Sequence, residues 1–486
     1  MVFSSIPFLF MFLPITLGIY YILPRRFQNL FILLSALFFY AWGEPKYIFI
    51  MLASILIDYC AGLVMRKFDD KQKIRRAALL TSVIMNITLL GIFKYGVFTI
   101  DNINTIFGMD LNYPIFSIGS FQIPVKALPP IGLSFFTFQS MSYTIDLYKR
   151  NIKVQRNVIS FAAFVTLFPQ LVAGPIVRYS DISKELETRK ITLNMIYEGI
   201  LHFITGMGKK VLIANSIGAL WTQIKMTQLS ELSVLSAWLG IIAFTFQIYF
   251  DFSGYSDMAI GLGKMLGFNF PKNFDYPYLS RSISEFWRRW HITLGAWFKS
   301  YVYFPLGGSR KGLKRTVFNL AVVWLLTGIW HGASWNFFVW GLFYGVIIII
   351  EKLFLGKILD KLPAFFCSFY TMFLVILGWV IFDTKDLPIA FGYIKTMLGL
   401  GENRVLTDST ASYALLNYGI ILLVCVFAST DLWRRAYDYL RRKISAENPF
   451  QILLNYSAVA YQTGVFVLVI AYLVDAGYNP FLYFNF

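Results

Sequence analysis

This sequence is short of charge, of cysteine and of histidine. Of its 486 residues only 14% are Asp, Glu, Lys or Arg while 57% are hydrophobic; soluble globular chains carry roughly 25% charge. The deficit excludes a soluble globular protein and indicates an integral membrane one. Apolar, Phe-rich runs recur from end to end and leave no stretch for a large soluble domain, so one membrane-embedded domain over residues 1–486 is expected. The three cysteines, Cys60, Cys367 and Cys425, lie in or beside apolar stretches without CxxC or framework spacing, which argues against disulfides and zinc. Neither a GxSxG elbow nor an HExxH pair is present, which removes the common serine-hydrolase and zinc-protease readings. The chain shows no internal repeat, which counts against a transporter built from inverted repeats.

What charge there is has one sign. Lys and Arg exceed Asp and Glu by 43 to 26, a net +17. Nucleic-acid binding is one reading of such an excess. The cations, however, cluster in short segments between apolar runs, as the positive-inside rule produces. A basic cytoplasmic face would also attract anionic lipid heads and polyphosphate cofactors. The first apolar segment, "FLFMFLPITLGIYYILP", is followed rather than preceded by Arg25 and Arg26, the pattern of a retained anchor with its N-terminus outside.

Spanning a bilayer needs about 20 apolar residues, fewer where tilt or burial intervenes. Helices are expected at Phe8 to Leu23, Leu30 to Trp42, Tyr47 to Met65 and Ala77 to Phe98, with the basic "RKFDDKQKIRR" inside and the cation-free stretch Asp101 to Gln122 outside. Leu128 to Tyr148 then returns the chain to "KRNIKVQR". Further segments fall at Ile159–Val177, Ile196–Leu220, Leu232–Met265, Val317–Ile350, Phe365–Phe382, Ser412–Ser429 and Leu453–Val474. Two are long enough for hairpins or reentrant pieces. The expectation is an all-α polytopic membrane protein of about eleven transmembrane helices with reentrant and interfacial helices besides.

Residues 270–315 differ from the rest. Cations from Lys272 to Arg315 oppose only Asp275 and Glu285, which places this segment against the cytoplasmic surface. Phe286, Trp290 and Trp297 recur at helical spacing beside Arg288, Arg289 and Lys299, as in an interfacial amphipathic helix. "PLGGSRKG" places Gly307 and Gly308 in a tight turn beside Arg310 and Lys311, a candidate phosphate cradle. It lacks the GxxxxGK[ST] pattern of a P-loop.

The histidines are His202, His291 and His331. His202 reads as structural. His331 follows the apolar "TVFNLAVVWLLTGIW" and sits among Thr327, Ser334 and Asn336; ionisable side chains at such depth face a bundle interior or a wet cavity. On a continuous helix His331 and Trp335 share a face. A histidine hydrogen-bonded to a neighbouring helix is the structural alternative. His291, in "WRRWH", supplies a second imidazole in a basic setting. Neutral imidazole, with its pKa near about 6.5, suits removal of a proton from a hydroxyl attacking an acyl carbon. Base-catalysed acyl transfer to oxygen is the candidate reaction.

The run from "FDFSGYSDMAIGLGK" through "SEFWRRWHITLGAWFKSYVYFPLGGSRKG" to "TGIWHGASWNFFVWG" resembles the membrane-bound O-acyltransferase family, and "MVFSSIPFLFMFLP" with the "PLGG" turn is similar to its alginate and peptidoglycan O-acetyltransferase branch. The resemblance implies helices around a central channel in a bacterial inner membrane. It also implies cytoplasmic acetyl-CoA as donor, with no metal, and an external polysaccharide or peptidoglycan acceptor reached through an esterase-like partner protein. By position His331 matches the family's intramembrane histidine and His291 its second. Asp383 stands where this branch often has a basic residue, which leaves a local surface contact open.

His331 is then assigned as general base, and His291 as holding or protonating the CoA thiolate. Arg288, Arg289, Gly307, Gly308, Arg310 and Lys311 are the expected donor contacts. Asp251 with Tyr255, and Asp257 with Ser253, share helix faces and with Trp335 and Asn336 are expected to orient the histidines, bundle-locking ion pairs being the alternative. Tyr483, in the terminal "YNPFLYFNF", is a candidate acyl relay or an aromatic interface anchor. The rival functions are D-alanyl transfer to teichoic acid and a transporter or flippase using Asp58, Asp146, Asp251 and Asp257.

Overall fold

The computed structural model describes residues 1–118, 121–124, 130–443, 449–475 and 482. It is all-α, save an antiparallel hairpin pairing Ile115–Ile118 with Phe121–Pro124. Among the described residues seven helices are long and apolar enough to cross a bilayer: Pro45–Lys67, Gln72–Phe107, Val234–Met265, Trp335–Leu359, Ala364–Asp383, Ser409–Ala428 and Tyr456–Asp475. The protein is a multi-pass membrane protein. The other apolar stretches form shorter helices, among them Phe8–Ile22 and the 16-residue Leu133–Tyr148. Nearly every residue of Leu133–Tyr148 is buried, and a helix enclosed by protein need not match the bilayer by itself. Pro169 stands in the short helix Phe168–Leu171, apart from Val158–Thr166, so that stretch is two pieces and not one span.

The chain folds as two compact units. In the first, Met1–Ile200 with Ala259–Pro271, three helices meet on one carboxylate. Asp58, from Ile48–Lys67, is fully buried and accepts bonds from Asn86 Nδ2 (2.9 and 3.0 Å), Ser82 and Ser140. Asn86 and Ser82 lie on Gln72–Phe107, Ser140 on Leu133–Tyr148. Every donor aimed at Asp58 comes from a neighbouring helix, so the network ties the three together. Elsewhere in this unit the buried Arg189 donates to Tyr20 Oη (2.6 Å) and Asn29 Oδ1 (2.7 Å) and stacks over Phe268.

The second unit, Leu201–Met258 with Lys272–Phe486, carries an aromatic core. Trp287 meets Trp340, Trp324 and Tyr344 edge to face at 5.3, 5.0 and 4.9 Å between ring centres, the geometry aromatic quadrupoles favour. Of the two stretches long enough for a hairpin, Leu232–Met265 is instead one 32-residue helix, Val234–Met265, while Val317–Ile350 is a hairpin of Leu313–His331 and Trp335–Ile350. Its arms touch backbone to backbone: a Cβ on Gly328 would lie 2.5 Å from the Phe337 carbonyl oxygen, and one on Gly341 2.6 Å from that of Trp324. Small residues permit such crossings.

The interfacial helix expected around Phe286, Trp290 and Trp297 is a different object. The chain makes two seven-residue helices, Ile283–Arg289 and Ile292–Phe298, broken at His291. All three aromatics are buried. Trp290 lies 5.0 Å from Trp379 and Phe286 packs flat against Trp290. Burying such rings in an aromatic core outweighs laying them on a lipid surface.

Candidate active site

His331 closes the helix Leu313–His331. Gly332 follows in extended backbone, where a side chain would strike the Phe337 ring, and Trp335 starts the returning helix. His331 is therefore a helix-terminal side chain turned into the second unit's core and is buried. Trp340 and Phe382 present edges to its ring at 4.8 and 5.2 Å. His331 lines a small cavity of about 20 Å³, with Asp251, Phe252, Trp287, Trp290, Trp340 and Leu482 among the other walls. That volume holds about one water.

The turn at Gly332 overturns the shared face expected for His331 and Trp335. Trp335 belongs to the next helix and is half exposed. Asn336 is buried beside it and donates to the carbonyls of Ile381 (3.2 Å) and Phe382 (2.9 Å), so it fixes the segment carrying Phe382.

His291 sits between its two short helices with φ 45° and ψ 53°, a left-handed conformation uncommon outside glycine. Its ring stands edge to face 4.8 Å from Phe252, a wall of the His331 cavity, and 6.0 Å from Trp330. Nδ1 faces Asn273 Oδ1 at 3.1 Å. The same Asn273 atom takes the backbone N–H of Thr293 (3.3 Å) and its hydroxyl (2.8 Å). Since a backbone N–H can only donate, that atom is the amide oxygen and His291 Nδ1 carries the proton facing it. A neutral ring then has its lone pair on Nε2. Burial pushes the imidazole down to about 3 from the usual 6.5, so His291 is neutral at physiological pH. Asn273, itself buried and donating to Ser256 Oγ (3.0 Å), was not singled out in sequence; a lone Asn in "FPKNFDY" gives no signal.

Asp251 reaches the cavity but is not alone. Lys210 Nζ pairs with Asp251 Oδ1 at 2.6 Å, both side chains buried, and Leu482 N–H donates to Oδ2 at 3.0 Å. The ion-pair reading of Asp251 is the one observed, with a lysine from the π-helical stretch Gly208–Ala214 as partner. Asp257 pairs with Lys209 (2.7 Å); neither it nor the buried Tyr255 lines the cavity. The carboxylate of Asp383 receives Lys225 Nζ and the Trp221 indole N–H (3.1 Å), an internal contact.

The expected donor contacts separate. Gly307 and Gly308 do adopt positive φ, 108° and 56°. Their N–H groups, however, donate to the carbonyls of Phe304 and Tyr303 (2.9 Å each), closing the preceding helix. A terminating helix needs its carbonyls capped, and N–H groups used that way do not form the expected phosphate cradle. Arg310 and Lys311 are exposed on that turn. Arg289 is held by Glu285 (2.7 Å). Arg288 alone of the set lines a polar cavity of about 360 Å³, shared with Glu285, Glu351 and Lys352. Tyr483 lies outside the described residues.

The site is thus a buried imidazole facing a small cavity walled by tryptophans, with a second imidazole one ring away. Comparison with known proteins makes the class definite. The model of MBOAT, the membrane-bound O-acyltransferase family, matches residues 139–382, a span containing both histidines. Over 502 aligned residues, covering 100% of both chains, 38% are identical to the probable alginate O-acetylase AlgI of Pseudomonas putida. Identity to the peptidoglycan O-acetyltransferase of Helicobacter pylori is 33%, over 82% of this chain and 80% of that one. The teichoic acid D-alanyltransferase of Streptococcus thermophilus is 29% identical over 47% of this chain and 58% of its own. The chain belongs to the membrane-bound O-acyltransferase family. It is an acyltransferase.

Proposed function

We propose that this protein is an O-acetyltransferase of a bacterial inner membrane, taking acetyl from cytoplasmic acetyl-CoA and delivering it, through a partner protein, to an extracytoplasmic polysaccharide or peptidoglycan. The O-acetylating relatives, similar over most or all of the chain, support the acetyl group over D-alanine, where similarity covers less than half. The observation that carries the reading is His331, buried against the cavity and framed by aromatic edges.

In the proposed reaction the acceptor hydroxyl oxygen attacks the thioester carbonyl carbon, His331 takes the hydroxyl proton, and the C–S bond breaks. Burial pushes the His291 imidazole down to about 3, which favours a neutral ring over one that stores a proton for the thiolate. The proton therefore returns to sulfur from His331, and His291 acts as a neutral, oriented imidazole. Arg288, on its polar cavity, is retained as a donor contact. Trp287 and Trp290 line the His331 cavity while Ser284 and Arg288, neighbours on the same short helix or its cap, line the polar one. A thioester arm is far larger than 20 Å³, so its admission requires those indoles to move. Leu482, against the cavity and bonded to Asp251, directly precedes Tyr483, which supports a relay in which the Tyr483 hydroxyl accepts acetyl before the partner does.

Membranes containing the protein, given either acetyl-labelled CoA or D-alanyl carrier protein, test the donor. Label from acetyl-CoA in the polymer fraction is expected; label from D-alanine alone would replace the reading with the D-alanyl one.

A further inference from the structure

A cavity of about 760 Å³ in the first unit has no part in the reaction described above. Its volume lies within the range of small-molecule sites. It opens where Ile48–Lys67 ends, Gln72–Phe107 begins, and the chain leaves Leu133–Tyr148. The first two of these are long and apolar enough to cross a bilayer, which would put the cavity, at their ends, at headgroup depth.

Its walls are cationic. Arg66, Arg75, Arg150, Lys153 and Arg156 line it against two carboxylates, Asp69 and Glu187. Asp69 is already engaged by Arg75 (3.0 Å) and Arg150 (3.2 Å). Arg75 is buried, and its Nη groups also donate to the carbonyls of Leu147 and Tyr148. Its Nε–H, buried as well, has no acceptor among the described residues. The side chains of Arg66, Lys153 and Arg156 make no hydrogen bond or ion pair among the described residues. Cations gathered around a hollow repel one another unless an anion occupies it, and a buried donor without an acceptor marks where one belongs. Met65, Leu147, Ile152 and Val154 add an apolar wall, which a soluble phosphate does not need and a glycerolipid does.

We infer that this cavity binds the phosphodiester headgroup of an anionic membrane lipid, with Arg66, Lys153 and Arg156 as phosphate contacts and Arg75 as the fixed donor at its base. Basic pockets between helices at the inner face of a membrane hold such headgroups by charge and by burial of the first methylenes. The site is independent of the acetyl-transfer reading, and its test does not use activity.

The full chain in detergent is incubated with phosphatidylglycerol or phosphatidylcholine and bound lipid is counted by native mass spectrometry. Wild type is expected to retain phosphatidylglycerol over phosphatidylcholine. The triple variant Arg66→Gln, Lys153→Gln, Arg156→Gln is expected to retain at least about tenfold less, following the loss of three charges near the phosphate. Because the three side chains hold nothing else among the described residues, the variant is expected to unfold at the wild-type temperature; should it not fold, the three single variants read the same loss in graded form. Inorganic phosphate and coenzyme A, each added at millimolar concentration, are expected to leave the lipid in place. Equal retention by wild type and variants, or displacement of the lipid by coenzyme A, overturns the inference, the latter in favour of a soluble phosphate ligand.

Discussion

Burial favours the neutral form of His291, and that has a thermodynamic consequence. Its ring charges at about 3 in the folded chain and at about 6.5 when exposed. Between those values the unfolded chain binds more protons than the folded one. Stability therefore rises with pH across that window and is lost as pH falls below about 6.5, by at most about 1.4 kcal/mol per pH unit for one group. Replacing His291 by Gln removes that proton, so thermal unfolding followed from about pH 4 to 7 should show a shallower acid slope in the variant; an unchanged slope would contradict the neutral buried ring. Asn273 provides a kinetic test. Asn273→Leu deletes the acceptor that sets the tautomer and should slow acyl transfer by about tenfold or more, with Asn273→Asp, which still accepts, recovering most of it. If Asn273→Leu transfers at the wild-type rate, Asn273 does not position His291. Two of only three histidines stand out in a list of residues, so the imidazoles were legible. Asn273 was not, because its value depends on the fold bringing it back to a residue 18 positions later.

Among the elements, the hairpin that delivers His331 depends on glycine. With Gly328 and Gly341 at the crossing, even Gly341→Ala forces backbone apart, and Gly328→Leu should cost several kcal/mol by overpacking. Reduced yield of folded protein and a lowered unfolding temperature check this; a Gly328→Leu variant as stable as wild type would mean the arms do not touch. The equally long Leu232–Met265 is one helix, so apolar length allowed a hairpin over Val317–Ile350 without requiring it. Its turn did not declare itself, because "WHGASWN" reads as continuous helix unless Gly332 is known to face the Phe337 ring. That single break sent Trp335 to the wrong face. The aromatic run Phe286 to Trp297 misled for a related reason: helical spacing shows which side chains share a side, but not whether lipid or a tryptophan core receives them. Gly307 and Gly308 were read correctly as a turn, yet the N–H groups of a turn are free for phosphate only where no helix end claims them.

For the whole molecule, composition was sufficient to place the chain in a membrane, and the clustering of its cations leads us to propose that the basic loops share one side. That orientation predicts that a cysteine introduced at Asn112 reacts with a membrane-impermeant maleimide added outside intact cells, while one at Asp70 does not, both positions being exposed; exposed Cys60 is replaced first. Labelling of Asp70Cys from outside would invert the topology. The span count was only partly legible, because helices enclosed by protein, such as Leu133–Tyr148, are shorter than the bilayer. The account as a whole stands on acyl groups passing from the basic side to the other by way of His331. The most direct measurement seals labelled acetyl-CoA inside vesicles on the basic-loop side and follows acetyl esters appearing outside, with the partner and acceptor polymer present. Wild type is predicted to export label and His331→Ala, shown to be folded, to fall by about 10²- to 10⁴-fold, the usual contribution of a general base; export by His331→Ala at the wild-type rate would contradict it.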